Sequence, residues 1–266
     1  NLWRRILDLV PRLIPVLQLA GNRLVKTKRF RDPVYVGDPL NTVRIFNDKE
    51  VDELFIVDIL ATSEATGPNF RLIEQIVSEA FMPVAVGGGI QSVEHALALI
   101  GLGVEKVVVQ SAIFCQPDAV QKIAEVLGSQ AVVGALDFVE SDGNFTTRPH
   151  KNFGVLQDVK NAIGLAERLG VGELLCTDVS REGTRLGIRD RFVREVASFA
   201  SKPLVVQGGA AELGNLRDAV ANGADALAGG AMFFFSGSYD SVNISYPSRF
   251  EIERHLSESS IGGAKE

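Results

Sequence analysis

The side chains best suited to proton transfer lie at the ends of short apolar runs. Asp137 ends the run VVGALD, where a carboxylate could act as an acid or a base. An internal repeat pairs Asp137 with Gln18, whose amide exchanges no proton near neutral pH. Asp58 and Asp178 end two further runs and are candidates for the same site, with hydrogen bonding inside the fold as the alternative. The pattern predicts acid–base chemistry that depends on one central carboxylate.

Glycine clusters at the ends of other runs favour anion binding. Residues 87–89 are three consecutive glycines, and residues 208–209 are a matching pair. Glycine lets backbone N–H groups approach an anion closely, and a following helix adds its positive end. Gln110 and Ser111 end another run, and the polar turn REGT occupies residues 181–184. These segments predict two anion sites on opposite sides of one opening. The alternative is that the glycines only turn the chain.

The elements that must position these residues occur twice in the chain. ELFIVDI at residues 53–59 aligns with ELLCTDV at residues 173–179, at an offset of 120 residues. The same offset aligns MPVAVGGGI with KPLVVQGGA and GVEKVVVQSAI with GADALAGGAMF, without a gap. An ungapped match over three motifs indicates duplication of a structural unit.

Short apolar runs alternate with longer helical stretches eight times, which is typical of parallel strands connected by helices. We predict strands at residues 13–19, 54–59, 84–87, 106–110, 132–137, 174–178, 204–207 and 226–229. Eight units in a duplicated chain predict an α/β fold, a (β/α)8 TIM barrel built from two repeated half-barrels. An open doubly wound sheet explains the alternation but not the duplication.

Four charged residues stand where predicted strands begin: Arg12, Glu53, Lys106 and Glu173. Two are basic and two are acidic, so a cluster of all four around the bottom opening of a barrel would form a neutral salt-bridge ring. Two interpretations stay open. The ring could be a stabilising plug, as that face of a barrel usually serves stability, or a gate on a passage along the barrel axis.

The composition is that of an ordinary globular protein, with 266 residues, a formal net charge of −6 and two cysteines. This acidity argues against nucleic acid as a main partner, and the basic residues 26–31 are predicted as a phosphate-binding loop instead. No apolar run is long enough for a membrane span, and the histidines lack metal-ligand spacing. We expect a cytoplasmic protein without metal, cofactor or membrane partner. We divide it into an extension at residues 1–11, a barrel at 12–257 and a flexible tail at 258–266.

The motifs together resemble the cyclase subunit of imidazole glycerol phosphate synthase over most of the chain. They are RLIPVLQL, VDELFIVDI, VGGGI, GVEKVVVQSA, GSQAVVGALD, KNFG, REGT and QGGA. The resemblance implies a barrel of two half-barrels that receives ammonia from a glutaminase-like subunit docked on its amino-terminal face. The ammonia would pass through the barrel to a bis-phosphate substrate at the other face, so the resemblance also implies a phosphorylated small-molecule ligand.

The resemblance assigns roles to individual positions. It makes a gate of Arg12, Glu53, Lys106 and Glu173, and it assigns phosphate binding to Gly89, Gln110, Ser111, Gly183, Gly209 and Gly230. The two catalytic aspartates of the family correspond to Asp137 and Gln18, so one carboxylate is missing, and the resemblance implies altered or lost cyclisation chemistry. Lys26, in the motif LVK, corresponds to a family residue near the phosphate or the loop after the first strand.

A closer resemblance joins LVKTKRF, YVGDPLNTVRIFNDKEVDEL, EAFMPVAVGGGI and ISYPSRFEIERHL to a cyclase-like branch. That branch is associated with acetamidino or amidation modification of bacterial surface-polysaccharide sugars and also lacks the aspartate of the first strand. It implies cooperation with a glutaminase-like subunit and a separate amidotransferase that modifies a nucleotide sugar. Two further hypotheses stay open: an active cyclase of histidine biosynthesis, and a non-catalytic scaffold or phospho-ligand sensor.

Overall fold

The computed structural model describes residues 10–148, 156–236 and 241–257. The predicted extension at residues 1–11 therefore lies mostly outside the described residues, as do the predicted tail at 258–266 and the KNFG motif. Within the described residues, no helix has both the length and the apolar character needed to cross a membrane.

Eight parallel strands form a closed barrel. The strands of the chain are β1 Arg12–Ala20, β2 Arg23–Lys28, β3 Arg31–Gly37, β4 Leu54–Asp58, β5 Val84–Gly87, β6 Lys106–Val109, β7 Val132–Ser141, β8 Asn144–Thr147, β9 Glu173–Asp178, β10 Leu204–Gln207, β11 Ala226–Gly229, β12 Phe235–Ser236 and β13 Ser241–Val242. The barrel consists of β1, β4, β5, β6, β7, β9, β10 and β11, and it closes where Arg12 of β1 pairs with Ala226 of β11. All eight strands overlap predicted ones, so the predicted TIM barrel is confirmed.

Helices cover the outside of the barrel: α1 Pro39–Asp48, α2 Phe70–Glu79, α3 Val93–Gly101, α4 Ser111–Cys115, α5 Pro117–Leu127, α6 Val159–Arg168, α7 Asp190–Phe199, α8 Gly214–Ala221, α9 Ala231–Phe234 and α10 Arg249–Ser257. Four of them begin at a capping residue. The side chains of Asp38, Asn69, Ser92 and Asp158 each accept a hydrogen bond from the backbone N–H three residues further on. These caps satisfy donors that the first helical turn leaves unpaired, and so they set where each helix starts.

The barrel has an inner and an outer apolar core because successive strand residues point to opposite faces. In β1, Leu13 and Leu17 pack outward against the helices, whereas Ile14 and Val16 point inward. The inner core consists of Ile14, Val16, Phe55, Ala85, Val108, Val133, Ala135, Leu175, Val205, Ala226 and Ala228. Every one of these residues is buried, so side chains fill the middle of the barrel.

Glycines allow the first and second halves to make the same sharp turns above the barrel. Gly88 and Gly208 have φ angles of 112° and 120°, which disfavour any other residue. A Cβ added to Gly88 would lie 2.5 Å from the carbonyl oxygen of Asp58, and one added to Gly208 would overlap the carbonyl oxygen of Asp178. The glycines therefore permit a close backbone approach that is repeated at the predicted offset of 120 residues.

An antiparallel hairpin of β2 and β3 follows β1, where the sequence predicted a loop over residues 26–31. Gln18 of β1 pairs with Val25 of β2, and the hairpin turns at Arg29 and Phe30, whose φ angles are 54° and 59°. Two successive residues with positive φ match the twist of a tight hairpin, even without glycine. The predicted loop is thus corrected to an ordered hairpin. A second hairpin extends β7 beyond its predicted end and pairs it with β8.

Candidate functional site

A cavity of about 450 Å³ opens at the carboxyl ends of the barrel strands, and we call it the mouth cavity. The hairpin of β2 and β3 covers part of it with Phe30 and Pro33. Six of the predicted site residues line the cavity: Gln18, Asp58, Gly89, Gln110, Ser111 and Asp137. The fold therefore brings the central carboxylate, its amide counterpart and one predicted anion site into a single chamber of ligand size.

Asp137 is the acid–base candidate of this chamber. Burial raises its pKa to about 6, although the charge of Arg148 and a hydrogen bond from Thr177 act in the opposite direction. Gln110 Nε2 donates a hydrogen bond of 3.1 Å to Asp137 Oδ2, which holds the carboxylate in place. A carboxyl group with a pKa near the operating pH can both accept and return a proton, as general acid–base catalysis requires.

Gln18 occupies the corresponding place on β1 and is held by the hairpin. Its side chain is 5% exposed, and its Oε1 accepts hydrogen bonds from Thr27 N at 3.0 Å and from Thr27 Oγ1 at 3.2 Å. The amide thus ties the inner face of β1 to β2. Because the amide does not titrate, the β1 position lacks the proton-exchanging group that Asp137 provides at the matching position of β7.

Lys26 and Glu182 form a buried pair of opposite charge beneath the hairpin. Lys26 Nζ donates to Val16 O and lies 4.6 Å from the centre of the Phe234 ring. Burial lowers the pKa of Lys26 to about 8, opposed by the charge of Glu182. Burial likewise raises the pKa of Glu182 to about 7, opposed by the charge of Lys26 and a hydrogen bond from Thr27. Both side chains are buried, and their opposite charges offset each other.

The structure separates the two predicted anion sites. Gly89, Gln110 and Ser111 line the mouth cavity, whereas Gly183, Gly209 and Gly230 line a second space of only about 10 Å³. Lys26 occupies the approach to this second space, since its Nζ lies 2.5 Å from where a Cβ of Gly230 would be. A space of this size barely holds one water molecule. The Lys26 ammonium therefore lies beside the second predicted anion site.

Asp58 and Asp178 hold turns of the backbone at matching places. Asp58 Oδ1 accepts from Leu60 N at 2.9 Å, and Asp178 Oδ1 accepts from Ser180 N at 3.0 Å. Asp58 still reaches the wall of the mouth cavity. Asp178 is 1% exposed and faces Arg189, with 3.2 Å between Arg189 Nε and Asp178 Oδ2. The Asp178 side chain therefore packs on the outer face of β9 and does not line the mouth cavity.

The four charged residues at the amino ends of the strands meet in one cluster, which we call the floor ring. Lys106 Nζ lies 2.7 Å from Glu53 Oε1 and 2.9 Å from Glu173 Oε2. Arg12 forms ion pairs with the same two carboxylates, so cations and anions alternate around the ring. Burial alone would lower the pKa of Arg12 and of Lys106, but the charges and hydrogen bonds of Glu53 and Glu173 outweigh it and raise both. Arg12 and Lys106 therefore stay protonated, and the two carboxylates balance their charge.

The inner core separates the floor ring from the mouth cavity. Phe55, Val133 and Val205, which belong to this core, are each fully buried. Below the core, a cavity of about 220 Å³ adjoins Arg12 and is also lined by Asp52, Tyr246 and Arg249. A small neutral molecule that entered from this side would have to pass the ring and then displace apolar side chains.

The sequence matches the family described as "Histidine biosynthesis protein" over residues 12–239. The chain belongs to this family. A protein of Leptospira borgpetersenii named "Putative imidazole glycerol phosphate synthase subunit HisF" is 38% identical over 250 residues, which cover 89% of this chain and 95% of that protein. A Pseudomonas aeruginosa protein with the same name but the suffix hisF2 is 38% identical over 239 residues, with the same coverage. Thermotoga sp. (strain RQ2) has an "Imidazole glycerol phosphate synthase subunit HisF" that is 34% identical over 230 residues, covering 85% and 90%.

Three residues of this HisF-like chain line the mouth cavity without having been predicted individually as site residues: Thr27, Arg148 and Thr177. Arg148 donates its backbone N–H to Asp137 O at 2.7 Å and stacks its guanidinium 5.1 Å from the Phe30 ring. The alternation of β9 could have revealed Thr177, because Leu175 and Thr177 share the inner face while Asp178 faces outward. Arg148 and Thr27 carry no such signal, since they reach the site through hairpins.

Proposed function

We propose that this HisF-like chain receives ammonia from a glutaminase-like subunit at the floor ring and conducts it through the barrel to a phosphorylated ligand in the mouth cavity. The ring is the observation that carries the proposal. One arginine and one lysine share two buried glutamates at the end of the barrel opposite the mouth. Such pairs can separate and re-form without leaving a charge alone, because each cation has two carboxylates.

The apolar core suits the proposed cargo. Ammonia is small and neutral, whereas ammonium would pay a large desolvation penalty between Phe55 and Val205. The core therefore favours the neutral molecule and excludes bulk water. At the far side, Asp137 is the group able to accept a proton when ammonia attacks an electrophilic centre of the ligand.

We infer that the ammonia serves the amidation of a surface-polysaccharide nucleotide sugar, with a separate amidotransferase as a further partner. Gln18 supports this reading, because a cyclase with two catalytic carboxylates would have an acid in its place. The second candidate is an active cyclase of histidine biosynthesis, which the names of the relatives favour. In that case Asp137 would suffice for the proton transfers.

The ammonia proposal is tested by purifying the chain together with a candidate glutaminase and measuring glutamine hydrolysis. We expect a stable complex and faster hydrolysis. Glu53→Gln and Glu173→Gln should reduce transfer of glutamine nitrogen while leaving reactions supplied with free ammonium salts less affected. Glu79→Gln removes a carboxylate of a surface ion pair with Arg44 and is the matched control. Absence of both a complex and a change in hydrolysis would refute the proposal.

Complementation of a strain that lacks the histidine cyclase separates the two chemistries. We expect no growth without histidine if the chain acts in sugar amidation, and growth would establish the cyclase instead. A third candidate, a non-catalytic scaffold or phospho-ligand sensor, predicts binding of a bis-phosphate without turnover in any mixture of partners.

A further inference from the structure

The orientation of the Gln18 amide is determined by its neighbours. Thr27 N can only donate a hydrogen bond, so the Gln18 atom 3.0 Å from it must be the oxygen Oε1. The Thr27 hydroxyl adds a second bond to the same oxygen at 3.2 Å. The amide nitrogen Nε2 therefore points away from β2, and this assignment does not depend on where hydrogens are drawn.

The Gln18 Nε2 donor has no partner in the part of the chain that the structure describes. Gln18 is 5% exposed, and its side chain lines the mouth cavity. Gln110 differs, because its own amide already donates to Asp137 Oδ2 at 3.1 Å. Gln18 Nε2 is therefore available to donate a hydrogen bond to a ligand in the mouth cavity that supplies an oxygen.

We propose that Gln18 determines specificity in the mouth cavity by donating a hydrogen bond from Nε2 to a carbonyl or hydroxyl oxygen between the two phosphates of the ligand. This inference rests on the phosphorylated ligand of the proposed function. At the β1 position, Gln18 would bind an oxygen of the ligand instead of exchanging a proton. Asp137 and Gln18 then act on the same ligand from two halves of the barrel, one as acid or base and one as a fixed donor.

Two probes of equal length isolate the contact: ribulose 1,5-bisphosphate, which has a ketone and hydroxyls, and pentane-1,5-diol bisphosphate, which has no oxygen between its phosphates. We expect isothermal titration calorimetry at pH 8.5 to show that the full chain prefers the keto probe by about five- to tenfold, as one hydrogen bond would give. Gln18→Glu keeps the acceptor for Thr27 but removes the donor. This variant should lose the preference for the keto probe, while its extra negative charge should weaken the binding of both probes to the same extent.

Gln18→Met, which removes donor and acceptor, gives an independent second variant. The control is Gln121→Glu, the same change of charge on the exposed face of α5, which should keep the wild-type ratio. A wild type that binds both probes equally overturns this inference alone, as do Gln18 variants that keep the preference. A wild type that binds neither probe overturns the phosphorylated ligand of the proposed function as well.

Discussion

The amino-terminal half of the barrel ends its first strand in Gln18 and the hairpin that holds it, whereas the carboxyl-terminal half has Asp137 at the matching place. Several other positions agree between the halves. Glu53 and Glu173 take the same part in the floor ring, and Gly88 and Gly208 make the same close turns. The glutamates of the ring and the glycine turns are thus repeated in both halves, whereas both cations of the ring, Arg12 and Lys106, come from the amino-terminal half. The difference between Gln18 and Asp137 is the one that changes the acid–base chemistry at the mouth cavity.

The largest effect should come from the asymmetric carboxylate. Asp137→Asn keeps the shape and the hydrogen bond from Gln110 but removes proton exchange, so we expect ammonia transfer by the reconstituted complex to fall by about 10²- to 10⁴-fold. Steady-state turnover measures it. Asp142→Asn, an identical change at the exposed turn between β7 and β8, is the control and should retain full activity. Equal turnover of both variants would remove Asp137 from the mechanism.

Substitution of the two equivalent glycine turns should destabilise the protein to the same extent in both halves. Gly88→Ala and Gly208→Ala each force a Cβ against a backbone carbonyl at a positive φ, and we expect each to lower the free energy of unfolding by about 3 kcal/mol or more. Urea denaturation gives the values. Gly101→Ala in α3 meets no atom within 4 Å and should be neutral or slightly stabilising. A loss in one half only would contradict the structural equivalence of the turns.

The floor ring provides a smaller symmetric test. Glu53→Gln and Glu173→Gln each leave Lys106 and Arg12 with one carboxylate, so we expect a loss of about 1–3 kcal/mol of unfolding free energy in each. Glu79→Gln at the surface pair should cost less than about 0.5 kcal/mol. Strongly unequal losses in the two ring variants would show that the ring is not shared evenly between the halves.

The smallest effect concerns the pH dependence of stability. Burial raises the pKa of Asp137 to about 6, above the value near 3.9 of an unfolded aspartate. The folded state then holds this proton more tightly, so the contribution of the group to stability is complete below about pH 4 and is lost as the pH rises through about 6.

Asp137→Asn should remove that loss. Relative to wild type, we expect the variant to be more stable at pH 7 than at pH 4 by about 1–3 kcal/mol, measured as a difference of urea unfolding free energies. Asp142→Asn again serves as the control and should show no such gain. A relative stability of Asp137→Asn that does not increase with pH would mean that the folded state does not favour the protonated carboxyl.

Apolar runs and the repeat at an offset of 120 residues were enough to predict the eight barrel strands and the barrel itself, because hydrophobic periodicity is local and duplication is visible in the sequence. The identity of Gln18 was equally visible. Strand alternation predicts the inner core in outline, and in β9 the same alternation places Thr177 rather than Asp178 towards the cavity.

Only the tertiary structure decided how the rim of the barrel is built. The hairpin after β1 brings Thr27 to Gln18 and Lys26 to Gly230, contacts that no sequence spacing indicates. The space beside Gly89 is also much larger than the space beside Gly209. The physical reason is that hairpin pairing depends on backbone register and on two positive φ angles at Arg29 and Phe30, neither of which residue type specifies. Burial, which raises the pKa of Asp137, likewise exists only once the chain has closed around it.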